Sequence, residues 1–143
     1  MESVASVVDA LRSHGMRVTA QRECVVRHLV GNASHPTVEA LFLAAQHDIP
    51  SISLKTVYQT VHDLETLGVV SVLDLGTGSV RVDPNVEHDH HHLVCTSCQA
   101  VRDIPLDLDV ELDVQLRAGF RVTDVEVIVR GVCAACDATQ PTA

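Results

Sequence analysis

The sequence predicts an α+β protein in two parts: an N-terminal winged-helix domain, then a small C-terminal α/β domain held together by four cysteines. Three observations carry the prediction. Apolar residues recur at helical spacing as far as Gly68. Two alternating segments then flank Gly76-Thr77-Gly78. Two Cys-x-x-Cys pairs, Cys95/Cys98 and Cys133/Cys136, frame the remainder.

Each element has a local cause. Val4, Val7, Val8 and Leu11 share one helical face, and Gly15 is placed to end that helix. Thr19 is the predicted N-cap of a second helix with core residues Val25, Val26, Leu29 and Val30, stopped by Gly31-Asn32. A third follows Pro36-Thr37 and turns Val38, Leu41, Phe42 and Ala45 inward. Ser53 caps a fourth, whose core face is Leu54, Val57, Val61 and Leu64 and whose stop is Gly68. Lys55, Tyr58, Gln59 and His62 lie on its outer side, as the second helix of a helix-turn-helix requires. Residues 69–75 and 79–83 alternate like strands around the glycine turn, which completes a winged helix. A helical bundle with an incidental hairpin is the competing reading. Several of Arg12, Arg17, Arg22, Arg27, Lys55 and Arg81 can face one phosphate backbone, which favours the winged helix.

Residues 84–87 read as a hinge between a domain of 1–83 and one of 88–137. In the second, residues 91–95 and 100–104 form strands on either side of the Cys95/Cys98 turn. Leu108, Leu112 and Leu116 mark one face of a helix ended by Gly119, and the Val- and Ile-rich run 120–131 is a strand that delivers Cys133 and Cys136. So small a unit leaves strand edges exposed and is expected to pair with a copy of itself. Residues 138–143 read as a flexible tail.

Composition narrows the function. No apolar run reaches the roughly 18–20 residues of a membrane span, and the N-terminus lacks the pattern of a secretory signal, so the expected location is cytoplasmic. There, paired cysteines favour metal over disulfides. The net charge of −9 argues against nucleic acid at first sight. It is unevenly spread: residues 1–84 carry six cations and nine carboxylates, net −3, whereas residues 85–143 carry four and ten, net −6. The acidity concentrates where the candidate metal ligands lie.

Cys95, Cys98, Cys133 and Cys136 offer four thiolates in two tight turns, the donor set of a structural Zn2+, with a disulfide or redox pair as the alternative. Cys24 sits in an apolar helical run and reads as core. His90 and His92 alternate, so on a strand they point to one side, with His88 in phase if the strand extends back. Asp83 and Asp103 are placed to lie nearby. His35, judged from spacing, is a capping or surface residue.

Taken together, the stretches Arg17-Val18-Thr19-Ala20-Gln21-Arg22, His35-Pro36-Thr37, Thr56-Val57-Tyr58-Gln59-Thr60, His90-His91-His92-Leu93-Val94-Cys95-Thr96-Ser97-Cys98 and Gly131-Val132-Cys133-Ala134-Ala135-Cys136 resemble the ferric uptake regulator family of metal-dependent repressors over nearly the full chain. The resemblance implies a homodimer that binds a double-stranded palindromic operator, a C-terminal dimerisation domain, a structural zinc and a regulatory metal at the hinge. It implies no enzyme activity. Arg17, Arg22, Lys55, Thr56, Tyr58 and Gln59 would contact DNA.

Within the family, the peroxide-responsive subgroup uses a ligand set that maps onto His35, Asp83, His90, His92 and Asp103, for Fe2+ or Mn2+. Iron-uptake regulators generally carry Glu at the position of Asp103, so the resemblance favours hydrogen peroxide as the signal, with His35 and His90 sensitive to oxidation. Nickel-responsive relatives use His88, His90, His92 and His35, so Ni2+ is an alternative; Val72 and Glu126 stand where their further histidines are expected. An additional metal among His88, Asp89, His91, Glu111 and Glu126 competes with a solvated surface. Ala20, Gln59 and Gln99 depart from the usual proline, arginine and glycine. A hydrolytic site lacks a nucleophile and oxyanion hole; a metal buffer without DNA binding is the alternative of another class.

Overall fold

Side-chain caps start each of the four N-terminal helices in the computed structural model, which describes residues 3–86, 89–106 and 112–139. In α1 (Val4–Ser13), Ser3 and Ser6 cap each other's backbone reciprocally. Thr19, Thr37 and Ser53 each accept from the N–H three residues on, opening α2 (Ala20–Leu29), α3 (Val38–Asp48) and α4 (Leu54–Thr66). At the far end of α4, Gly68 takes φ +67°, its N–H reaching the Glu65 carbonyl while that of Val69 reaches Leu64. That paired geometry needs the left-handed conformation glycine adopts without strain.

The helices enclose an aliphatic core of Leu11, Val25, Val26, Leu29, Leu41, Val57 and Leu64, with Cys24 fully buried among them. Burial pushes the Cys24 thiol up, against the pull of neighbouring Arg27. Leu54 does not belong to the core as expected; it is 38% exposed. It occupies the first position of α4, before the inward stripe of Val57, Thr60, Val61 and Leu64 begins. Thr60 is accommodated there because its hydroxyl donates to the Thr56 carbonyl at 2.7 Å.

A two-stranded antiparallel wing follows, β1 (Ser71–Leu73) against β2 (Arg81–Asp83), with Val72 opposite Val82. It is shorter than its alternation predicts. Residues 74–80 form the tip, where the Asp74 carboxylate accepts from Gly76 N–H and Arg81 Nε donates to Thr77 Oγ1. Val82 N–H donates to the Pro36 carbonyl at 2.9 Å, hooking the wing onto the entrance of α3.

The chain divides into two units, Met1–His88 and Asp89–Ala143. The second is built on β3 (His91–Cys95), flanked by antiparallel β4 (Val101–Ile104) and parallel β5 (Ile128–Gly131) in the order β4-β3-β5. The strand expected over 120–131 is confined to its last four residues. Parallel pairing sets His92 opposite Ile128, so β3, which begins at His91, has no residue to pair with those upstream of Val127. Of the expected leucine helix, the described residues contain one turn, α5 (Val114–Arg117), on which Leu116 is 74% exposed. Leu108, Glu87, His88, Glu111 and residues 140–143 lie outside the described residues. A final turn, α6 (Ala134–Asp137), carries Cys136. No helix among the described residues is long and apolar enough to cross a membrane.

Leu29→Ala should cost about 2–5 kcal/mol in urea unfolding, because truncating a fully buried side chain loses its transfer energy and leaves a cavity. Leu43, 65% exposed on α3, serves as the control: Leu43→Ala should stay within about 0.5 kcal/mol.

Candidate functional site

Sheet register assembles the cysteines. The parallel β3–β5 pairing sets Cys95 opposite Gly131, and Thr96 N–H donates to the Gly131 carbonyl at 2.8 Å. Both strand ends thus deliver their Cys-x-x-Cys turns to one place. The four sulfurs lie within 4.8 Å of one another, Cys98 Sγ and Cys133 Sγ at 3.7 Å. A disulfide needs about 2.0 Å, whereas a tetrahedral zinc with 2.3 Å bonds spaces its sulfurs about 3.8 Å apart. Donor chemistry and spacing both fit zinc. Gln99 holds φ +62° at the turn, where the resemblance expects glycine, and its N–H closes the turn on the Cys95 carbonyl at 2.9 Å.

The cluster is electrostatically graded. Backbone N–H groups of Cys98, Cys133 and Ser97 hold Cys95 down to about 6. For Cys136 the Ser97 hydroxyl lowers the value, but the Cys133 and Cys98 sulfurs and the loss of water outweigh it and push Cys136 up to about 11. These backbone donors favour the thiolate form of Cys95.

A second group of ligating side chains gathers at the start of β3. His90 Nε2 lies 3.6 Å from Asp103 Oδ1, and the His90 and His92 rings meet edge-on at 4.9 Å. His92 pairs across the sheet with Asp103 in β4. His92 Nδ1 is 3.1 Å from Glu126 Oε1. An ionised carboxylate only accepts, so Nδ1 carries the proton and the lone pair falls on Nε2, the orientation a metal-binding imidazole takes. Sequence reasoning placed Glu126 in an additional site and missed this partnership, which needs the β3–β5 register to be seen. That additional site is not assembled among the described residues. His91 Nδ1 instead accepts from Val127 N–H at 3.2 Å, Asp89 is exposed, and His88 and Glu111 lie outside the description.

In the first unit, His35 overturns its reading as a capping or surface residue: it is 1% exposed. The wing explains why. Arg81 Nη1 donates to the His35 carbonyl at 3.3 Å, and the Val82–Pro36 bond fixes the next residue. His35 Nε2 thereby lies 3.6 Å from Asp83 Oδ1 at the end of β2, with Asp83 equally buried. The His35 backbone is left-handed, φ +49°, a conformation uncommon outside glycine that concentrates at functional positions.

Lys55, Thr56 and Gln59, with Ser53, Thr60 and Arg22, line a groove of about 260 Å³ at the N-terminal end of α4. Arg22 is not presented outward as a free cation. It is ion-paired to Asp63 and donates to the Arg17 carbonyl at 2.8 Å, so it ties α2 to α4. Gln59 Nε2 donates to the other Asp63 oxygen at 2.9 Å, and Tyr58 Oη donates to Glu39 at 2.6 Å. Arg17 and Lys55 are exposed.

A sequence profile of the ferric uptake regulator family matches residues 13–130. The chain belongs to this family. Among other ferric uptake regulator proteins, the peroxide-responsive repressor PerR of Staphylococcus aureus (strain USA300) is 34% identical over 137 residues, covering 94% of this chain and 89% of PerR. A solved zinc-bound manganese uptake regulator superimposes with a TM-score of 0.70 at 27% identity, over 89% of this chain and 98% of its own. PerR from Streptococcus pyogenes, solved to explain peroxide sensing and gene regulation, matches with a TM-score of 0.55 at 25% identity, over 95% and 94% of the two chains. The family is one of metal-responsive repressors, and the four-cysteine cluster here is compatible with the zinc such relatives hold.

The graded thiols predict the pH response of the metal-free protein. The lowered Cys95 value stabilises the fold fully above the ordinary thiol value of 9.0, an effect lost as pH falls through about 6. The raised Cys136 value acts oppositely: its contribution is complete below 9.0 and lost as pH rises through about 11. Ultraviolet thiolate absorbance should therefore show a first step near pH 6 that Cys95→Ser removes.

Proposed function

We propose that this chain is a homodimeric, metal-dependent repressor that senses hydrogen peroxide and releases a palindromic operator on oxidation. The regulatory ligands we assign are His35 and Asp83 from one side of the hinge 84–87, and His90, His92 and Asp103 from the other. The observation that carries the reading is the Asp103 carboxylate beside His90 at 3.6 Å. An aspartate at this position accords with the peroxide-responsive subgroup, and PerR is 34% identical.

The donor set is nitrogen and oxygen throughout, which suits Fe(II) or Mn(II) over softer ions. Ligands drawn from both sides of a hinge make metal affinity depend on the hinge angle, the differential affinity a switch requires. Bound Fe(II) would supply reduction of hydrogen peroxide beside the imidazoles, whereas Mn(II) fills the same donor set without that chemistry. His35 and His90 are the imidazoles we expect to be oxidised: one peroxide oxygen enters the ring and the other leaves as water. An oxidised ring is a weaker donor, so the hinge is released.

Lys55, Thr56, Tyr58 and Gln59 on α4, with Arg17, supply the DNA face, while Arg22 positions it. Dimerisation is supported by the second unit's surface. Leu93, Phe120 and Val129 are exposed, and β4 and β5 each have one neighbouring strand among the described residues.

Mass spectrometry after brief peroxide exposure tests the signal. Fe(II)-loaded protein should gain the mass of one oxygen on the His35 peptide or on the peptide spanning His90, and Mn(II)-loaded protein should not. Asp103→Glu should retain metal-dependent operator binding and lose most of that oxidation. Unmodified histidines with intact metal-dependent binding would instead indicate a metal-uptake repressor, and metal binding without DNA binding a buffer. Lys55→Ala should weaken operator binding and reduce the slope of log affinity against log salt by about 1.

A further inference from the structure

We propose that Cys24, His28 and Asp48 form a separate metal site, which takes an exchangeable borderline divalent cation such as zinc and clasps α2 to α3. Cys24 and His28 are four residues apart on α2 and so share a face. Asp48 is the last residue of α3. Its Oδ2 lies 3.8 Å from Cys24 Sγ and 2.9 Å from His28 Nε2, and the three ligating atoms fall within 4.8 Å of one another.

A His28–Asp48 ion pair alone accounts for the imidazole. It leaves the buried Cys24 sulfur beside the same carboxylate oxygen, with the Ala45 carbonyl at 4.0 Å as its other acceptor. A tetrahedral zinc places sulfur and oxygen ligands about 3.6 Å apart, and nitrogen and oxygen about 3.4 Å apart. The sulfur is therefore already at ligand spacing, and the imidazole needs to open by about half an ångström as the ion replaces the shared proton.

Mixed sulfur, nitrogen and oxygen donors select zinc-like ions over magnesium, calcium or manganese. The last turns of α2 and α3 meet here, and the partial negative charge of their terminal carbonyls favours a cation. Access is graded: Cys24 is fully buried, while the His28 and Asp48 side chains are 30% and 44% exposed. An ion can enter from solvent and leave again. His47 Nδ1, 3.5 Å from the other Asp48 oxygen, or a water can fill the fourth position. None of these residues belongs to the regulatory or four-cysteine sets, so the site stands independently of the proposed function.

The test equilibrates the full-length protein with excess Co(II) alone and compares the ultraviolet thiolate-to-cobalt band of wild type with that of Cys24→Ala. Any contribution from the other four cysteines is common to both. Wild type should show an additional component, absent from Cys24→Ala. The Co(II) affinity of that component should fall at least about tenfold in His28→Gln and in Asp48→Asn, the loss expected even for a partner of a ligand. Both side chains are partly exposed, so these variants should fold. Identical bands in wild type and Cys24→Ala, or an unchanged affinity in His28→Gln, would overturn the proposal.

Discussion

Parallel pairing between β3 and β5 determines the C-terminal unit. Four residues of β5 lie beside β3 in a register that sets Cys95 opposite Gly131. Two Cys-x-x-Cys turns separated by more than thirty residues therefore meet. The same register brings Glu126 to His92 and Val127 N–H to His91. So short a sheet has little apolar area to hold it, and a zinc held by the four sulfurs would supply the cross-link that a larger core otherwise provides.

The N-terminal unit solves a different problem. Its backbone hydrogen bonds and aliphatic core position α4, and polar side chains then fix the groups presented on it. Asp63 is the centre of this arrangement, because it receives both Arg22 from α2 and Gln59 from α4. A carboxylate holding two candidate DNA-facing residues restricts the conformations each can offer to a base or phosphate. Glu39 does the same for Tyr58, whose proton it holds on and whose hydroxyl in turn keeps Glu39 ionised.

Local chemistry was legible in the sequence: the N-caps Thr19 and Ser53 were identified from a Thr or Ser preceding an apolar stripe, those at Ser3 and Thr37 were not, and the glycine stops were placed correctly. The two Cys-x-x-Cys pairs declared their own association. Long-range facts were not legible. Nothing in the spacing around His35 shows that the wing folds back onto it, so its burial and its proximity to Asp83 emerge only with the Val82–Pro36 and Arg81–His35 bonds. The strand expected over residues 120–127 failed for a related reason. Periodicity registers apolar content, but a strand also needs a partner, and β3 is too short to supply one upstream of Val127. Arg22 illustrates the same limit on charge. A cation in a recognition motif reads as a phosphate contact until the fold supplies a nearer carboxylate.

The five residues of β3 carry candidate ligands for both chemistries, with His92 near one end and Cys95 at the other. Successive side chains on a strand alternate faces, so a one-residue insertion between them would turn one set away from its partners whichever set stayed in place. The histidine end and the cysteine end are consequently coupled through the spacing of one short strand. A length change within β3 would separate the two sets of donors, whereas a substitution on the strand would leave its register with β4 and β5 intact.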